Sequence, residues 1–123
     1  MKRILAVDDN DDILEVLRYI LEDSGYVVDT LSDGHLLFDK IKEHTPDLIL
    51  LDIMLGDMDG RALCKDIKTQ WDTQGIPVIL VSASHDVAAT LNQYGAPDDF
   101  VAKPFDLDVL LNIIQRQLAS KAA

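Results

Sequence analysis

The sequence predicts an α/β protein built on one parallel sheet with helices on both faces. The first observation is that strand-like apolar runs alternate with segments of helical spacing, five of each, along the 123 residues. The second is that runs such as LILL and VILV are apolar throughout, which is typical of central strands covered on both sides. This alternation favours right-handed crossovers, which place all the strands in a single sheet.

Each predicted element follows from its own pattern. The strands are the runs RILAV, YVVDTL, DLILLDI, IPVILVSA and the shorter DDFVA. The helices between them carry apolar residues three or four positions apart. These are Leu14, Leu17 and Leu21; Leu37 and Ile41; Leu63, Ile67 and Trp71; a weaker segment from Asp86 to Tyr94; and Leu107, Leu110, Leu111, Ile114 and Leu118. No linker or repeat interrupts the pattern, so residues 1–123 are expected to form one domain.

Composition and charge exclude several classes of protein. No apolar run approaches the length of a membrane span, and the start, MKRILAVDDN, is unlike a signal peptide. Cys64 is the only cysteine, which suits a reducing cytoplasm. The net charge of −11 argues against binding nucleic acid or an anionic membrane. We therefore expect a cytoplasmic protein that binds cations or docks on a basic partner.

Charged and polar residues stand where the predicted strands end. Asp8 and Asp9 follow the first strand, Asp52 lies near the end of the third, Ser82 follows the fourth and Lys103 the fifth. The carboxyl ends of parallel strands share one edge of a sheet, and ligands bind at that edge in folds of this type. These five side chains are therefore expected to converge.

The chemistry of such a cluster can be argued from its groups. Neighbouring carboxylates repel one another unless a cation, a proton or water separates them. Carboxylates are hard oxygen ligands suited to Mg²⁺, which keeps several waters and leaves room for a phosphate oxygen. A carboxylate can also attack phosphorus, with a Lys and a hydroxyl sharing the charge that develops. The cluster thus predicts a magnesium site that takes up a phosphoryl group.

The motifs ILAVDDN, DLILLDIML, MDG, VILVSA and VAKPF, in this order and spacing, resemble those of the receiver domain of two-component response regulators. The resemblance covers essentially the whole chain. It implies a five-stranded parallel sheet of flavodoxin-like order, 2-1-3-4-5, with five flanking helices. It also implies that Asp52 is the phosphoacceptor. Asp8 and Asp9 would hold Mg²⁺, or Mn²⁺ in its place, together with Asp52 and the main-chain carbonyl of Met54.

The same resemblance assigns roles near the other strand ends. Ser82 would be the hydroxyl that closes on the phosphoryl group, and Lys103 the cation that pairs with it. The Lys103–Pro104 peptide bond would be cis. Phe100 occupies the position of the aromatic residue whose inward or outward rotamer accompanies switching.

The function implied is that of a signalling switch rather than of an enzyme that turns over a separate substrate. A sensor histidine kinase or a histidine phosphotransfer protein would donate the phosphoryl group. The surface around the fourth helix, fifth strand and fifth helix would then change and be read by a downstream effector protein. The protein would be a monomer or a phosphorylation-dependent homodimer, with no output domain in this chain.

Two departures from the family pattern bear on these expectations. Gly56 stands where a proline is common four residues after the phosphoacceptor, so the loop there is expected to be more mobile. The stretch from Ser82 to Gly95 is about two residues shorter than is common, and Pro97 is an added residue. The fourth helix is therefore expected to be short.

Three other functions remain as alternatives. A phosphatase with an aspartyl-phosphate intermediate would carry a second Asp where this chain has Met54. A nucleotide- or flavin-binding module would have a glycine-rich turn rather than DDNDD after the first strand. A receiver-like module could bind a partner without being phosphorylated. Phosphoryl uptake by Asp52 discriminates among all of these.

Several other residues have simpler interpretations. Asp11 and Asp12 suit the start of a helix, where acids interact favourably with its dipole. A calcium loop beginning at Asp8 is rejected because Ile13 stands where such a loop needs glycine. The histidines have no metal-ligand spacing and are assigned no role; they are His35, His44 and His85.

Overall fold

The computed structural model describes residues 1–82, 95–104 and 106–122. The strands are Arg3–Val7 (β1), Val27–Leu31 (β2), Leu48–Asp52 (β3), Met54–Leu55 (β4), Met58–Asp59 (β5), Val78–Ser82 (β6) and Asp99–Ala102 (β7). The α-helices are Asp11–Asp23 (α1), Leu37–Glu43 (α2), Gly60–Thr69 (α3) and Leu107–Ala122 (α4), and a 3₁₀ turn, Gly34–Leu36, precedes α2.

Five of the strands form one parallel sheet in the order β2-β1-β3-β6-β7. This is the flavodoxin-like α/β arrangement that the sequence predicts. The described part of the chain has four α-helices where five were predicted. The predicted helix from Asp86 to Tyr94 lies outside the described residues. Strands β4 and β5, which were not predicted, pair as a separate antiparallel hairpin directly after β3.

The sheet divides the apolar core into two layers. Side chains alternate along each strand, so in β1 Ile4 faces one layer and Leu5 faces the other. Helices α1 and α4 cover the first layer, and α2 and α3 cover the second. Both faces of β3 and β6 are buried, which explains why these strands are apolar throughout.

Trp71 corrects one predicted stripe. It was grouped with Leu63 and Ile67 on a helix, but α3 ends at Thr69 and Trp71 is 86% exposed. The helix ends where Gln70 adopts an extended conformation (φ −94°, ψ 133°), and the Thr73 hydroxyl then donates to the carbonyl of Ile67 in the last turns of the helix.

The start of α1 matches its predicted interpretation. The Asn10 side chain accepts hydrogen bonds from the backbone amides of Asp12 and Ile13, which caps the helix. Asp11 and Asp12 occupy the first turn. The cap directs the chain from the end of β1 into α1, which leaves Asp8 and Asp9 at the edge of the sheet.

No helix in the described residues combines the length and apolar character needed to cross a membrane.

Candidate functional site

The carboxyl ends of four neighbouring strands bring the predicted residues to one edge of the sheet. Asp8 follows β1, Asp52 ends β3, Ser82 ends β6 and Lys103 follows β7. Parallel strand pairing places these residues at similar positions along the strand direction. Asp52 lies beside Val81, and the Lys103 amide donates to the Ser82 carbonyl at 2.8 Å. The convergence therefore follows from strand register.

Three carboxylates form the acidic part of the site. Ligand oxygens of Asp8, Asp9 and Asp52 all lie within 4.8 Å of one another. Asp8 and Asp52 are buried, whereas Asp9 is exposed. Hard oxygen donors this close together, with one side open, fit a small divalent cation such as Mg²⁺.

Lys103 supplies the opposing charge. Its ammonium nitrogen lies 3.0 Å from Asp8 Oδ2 and 3.4 Å from Asp52 Oδ2. Burial acts to lower the pKa of Lys103, but the hydrogen bond to Asp8 and the charges of both carboxylates outweigh it, so the pKa is raised. Lys103 is therefore held in its charged form.

The environment of Asp52 disfavours the charged form of its carboxylate. Burial raises its pKa, and the negative charge of Asp8 adds to this. Lys103 and a hydrogen bond from the backbone amide of Met54 act in the opposite direction without cancelling the effect. One ammonium thus faces three carboxylates, and the excess negative charge makes the site attractive to a cation.

The remaining predicted residues surround this centre at different distances from it. Ser82 is buried at the end of β6, beside Ala102 of β7. Met54 opens the β4–β5 hairpin, and its side chain is exposed. Phe100 is half-buried and packs on the core layer beneath α2 and α3, on the face of β7 opposite that of Val101. The Lys103–Pro104 peptide bond is cis.

Two glycines shape the loop after Asp52, and the role of one was not foreseen. The Gly56 amide donates to Asp9 Oδ2 at 3.2 Å, and its φ of +64° is one that favours glycine. Gly60 lies so close to β3 that an added Cβ would overlap the Asp52 carbonyl oxygen and lie 2.9 Å from the Cα of Ile53. The sequence signal was a glycine at the first helical position, directly after the capping residue Asp59, where glycine is a poor helix former.

Comparison with known proteins agrees with this arrangement. The family model described as "Response regulator receiver domain" matches residues 4–115. The chain therefore belongs to the receiver domains of response regulators, which are signalling domains of two-component systems.

The matches to individual relatives support the same assignment. The chain is 35% identical to the regulatory protein VanRB of Enterococcus faecalis, over 98% of this chain and 54% of VanRB. It is 40% identical to the response regulator ArlR of Staphylococcus aureus, over 90% of this chain and 50% of ArlR. It thus spans about half the length of these relatives. A CheY-like receiver domain protein from Methanospirillum hungatei superposes with a TM-score of 0.88 at 30% identity, covering 99% of this chain and 97% of that one.

Proposed function

We propose that residues 1–123 act as one receiver unit that accepts a phosphoryl group on Asp52 from a sensor histidine kinase or a histidine phosphotransfer protein. The observation that carries this proposal is the position of Asp52, buried between the like charge of Asp8 and the ammonium of Lys103. A carboxylate in such a place is poorly solvated and close to a cation, which suits a nucleophile for phosphorus.

The chemical step transfers a phosphoryl group from a nitrogen or oxygen atom of the donor to a carboxylate oxygen of Asp52. An oxygen of Asp52 forms a bond to phosphorus while the bond from phosphorus to the donor's leaving group breaks. Lys103 pairs with the transferred group, and the Ser82 hydroxyl hydrogen-bonds to it. Mg²⁺ held by Asp8, Asp9, Asp52 and the Met54 carbonyl would neutralise negative charge on the phosphoryl oxygens. The chain assists its own modification and is not proposed to turn over a separate substrate.

The switch would act through β7 and α4. Phosphorylation replaces the single negative charge of the Asp52 carboxylate with a phosphoryl group that carries roughly −1.5 to −2 charges, a net gain of up to about one negative charge, and this disturbs the charge balance between Lys103 and the carboxylates. Movement of Ser82 toward the phosphoryl group would also move β7, because Ser82 pairs with Ala102 of that strand. Phe100 lies two residues before Ala102 on the same strand. Arg116 of α4 pairs with Asp99 of β7 at 2.9 Å, so the strand and the helix would move together.

The output of the switch would depend on the surface that β7 and α4 form. We propose that a downstream effector protein recognises it, in the cytoplasm, with the receiver as a monomer or as a homodimer formed on phosphorylation. The −11 charge makes direct binding to nucleic acid by this region unfavourable. It equally disfavours an anionic membrane surface.

The first experiment measures the mass of the intact protein after incubation with acetyl phosphate, with and without Mg²⁺. We expect one Mg²⁺-dependent phosphoryl adduct that hydroxylamine removes. Asp52→Asn should abolish it, whereas Asp11→Asn, which changes an exposed acid in the first turn of α1, should not. Absence of an adduct with acetyl phosphate and with a second donor, phosphoramidate, would instead favour a module that binds its partner without phosphorylation.

A second experiment separates metal binding from the response. Lys103→Ala removes the only ammonium within 4 Å of Asp8 and Asp52 in the described residues. Affinity for Mg²⁺ should be kept or increased because a competing cation is lost, while the change in surface on phosphorylation should disappear. Weaker binding of Mg²⁺ in this variant would contradict the role given to Lys103.

A further inference from the structure

The turn after β2 is fitted against the β4–β5 hairpin at two places. The imidazole Nε2 of His35 lies 3.1 and 3.2 Å from the two carboxylate oxygens of Asp57. Beside it, Gly34 is buried so tightly that an added Cβ would lie 3.0 Å from a methyl carbon of Leu63 and 3.1 Å from the Met58 sulfur. The turn that carries the ion pair therefore also packs closely on the hairpin, through Met58, and on α3, through Leu63.

The hairpin in turn touches the acidic pocket at two backbone amides. The Gly56 amide donates to Asp9 Oδ2 at 3.2 Å, and the Met54 amide donates to the Asp52 carboxylate. Gly56 has a φ of +64°, and among the described residues no heavy atom beyond its chain neighbours would lie within 4 Å of an added Cβ, so little packing restrains it. Contacts on either side of Gly56 must therefore fix where these donors lie.

We propose that His35 is a positioning residue, which holds the hairpin against the acidic pocket through Asp57 and so makes phosphoryl uptake faster when its ring is protonated. The inference rests on the proposed function of Asp52 as phosphoacceptor. It adds to that function a dependence on pH set outside the pocket.

The charges around the ring give the direction of this dependence. The hydrogen bond from His35 to Asp57 and the charge of Asp57 raise the pKa of His35, and Asp33 on the same turn adds to this. Asp59, the other hairpin carboxylate, is occupied by Arg61 at 2.8 Å. As the pH rises through the pKa of His35, the ion pair becomes an ordinary hydrogen bond and the hairpin is held less firmly.

Exposure limits the size of the effect. The side chains of His35 and Asp57 are 57% and 78% exposed, and pairs in such positions interact modestly. We expect a change in the rate of uptake of roughly twofold to fivefold.

The test compares rates of uptake from acetyl phosphate at saturating Mg²⁺ between about pH 5.5 and pH 8.5. The ratio of the wild-type rate to that of H35N should be largest at the acid end and fall toward one at the alkaline end. H35K keeps a cation at every pH in this range and should retain the advantage at the alkaline end. H44N removes another exposed imidazole, 3.9 Å from Glu43, and should follow the wild type throughout. Parallel profiles for wild type and H35N would overturn the inference.

A readout that needs no phosphoryl group keeps this inference separate from the proposed function. The amide resonance of Gly56, followed by NMR, should titrate together with the His35 ring, and should lose that titration in H35N and in D57N. If Asp52 is phosphorylated but the Gly56 amide does not follow His35, the coupling is wrong and the function stands. If the Gly56 amide follows His35 but no donor phosphorylates Asp52, the coupling to the hairpin stands and the proposed function is wrong.

Discussion

The two ends of the parallel sheet use the same residue types in opposite ways. At the amino end two acids, Asp98 and Asp47, have matched donors. Asp98 Oδ2 lies 2.8 Å from the Lys68 ammonium and accepts from the Val78 amide, also at 2.8 Å. Asp47 accepts from the Arg3 amide at 2.7 Å. These carboxylates tie the starts of strands together.

At the carboxyl end the carboxylates are not matched in number by donors of positive charge. Asp8, Asp9 and Asp52 face Lys103 alone among the cations of the described residues that form ion pairs with them. Stability would favour the arrangement found at the amino end, because buried like charges repel. An excess of buried carboxylates of this kind lowers stability and is typical of sites arranged for binding or chemistry, which makes the carboxyl end the candidate site.

The backbone at the carboxyl end gives the largest expected effect. Gly60→Ala would press a methyl group against the Asp52 carbonyl, and backbone cannot yield as a flexible side chain can. We expect a loss of about 3 kcal/mol or more in the free energy of unfolding, measured with urea. Gly75→Ala is the matched control, because no heavy atom of the described residues lies within 4 Å of its added Cβ, and it should change stability by less than about 0.5 kcal/mol. Equal losses in both variants would mean that Gly60 is not tightly packed.

The matched acids at the amino end should give the next effect. Asp98→Ala leaves the Val78 amide and the largely buried Lys68 ammonium without the carboxylate that both contact. A loss of about 1–3 kcal/mol in the free energy of unfolding is expected. The control is Asp72→Ala, which removes an exposed acid. An unchanged stability in Asp98→Ala would remove the contrast between the two ends.

A change of the opposite sign in the free energy of unfolding is expected for Asp52, the proposed phosphoacceptor. Asp52→Asn removes a buried charge beside Asp8, whose burial and like-charged neighbour raise its pKa, and should therefore stabilise the protein at pH 7. Because the pKa of Asp52 is raised by folding, the penalty is absent below its ordinary value near 3.8 and develops as the pH rises through the folded value. The stabilisation should therefore vanish in acid. Denaturation as a function of pH measures it, and a destabilised variant at pH 7 would contradict this account.

Addition of Mg²⁺ offers a test of the same charge excess. Binding to the folded state alone should raise the melting temperature of the wild type. The rise should be smaller in Asp52→Asn, which lacks one of the three clustered carboxylates. Asp98→Ala should keep the full rise, since its acid is distant from the cluster at the other end of the sheet. Differential scanning fluorimetry with and without Mg²⁺ makes the comparison.

The experiment on Cys64 involves no change in the free energy of unfolding, because it reports the packing of the unmodified protein through the reactivity of a buried thiol. Burial raises the pKa of its thiol to about 12. Alkylation by iodoacetamide at pH 8 should be at least about a hundredfold slower than in urea-unfolded protein, because the thiolate is the reactive form. Reaction at the rate of a free thiol would show that the core layer beneath α3 opens readily.

The sequence alone determined the architecture and the principal residues of the candidate site. Hydrophobic periodicity is local, so the alternation of strands and helices could be read directly, and the covered faces of β3 and β6 followed from their apolar runs. The strand-end residues were also foreseen because parallel strands bring their carboxyl ends together. Asp8, Asp52 and Lys103 do meet at that edge.

The way in which the loop after Asp52 is held depends on contacts between distant segments, which the sequence patterns did not indicate. The two strands of the hairpin have two residues each, too short for any period to show. His35 and Asp57 stand 22 positions apart, and no local pattern indicates that they meet. The close approach of Gly60 to Asp52 and the exposure of Trp71 depend likewise on where one segment ends and another packs. Such contacts are set by three-dimensional fit between distant segments, which local preferences do not encode.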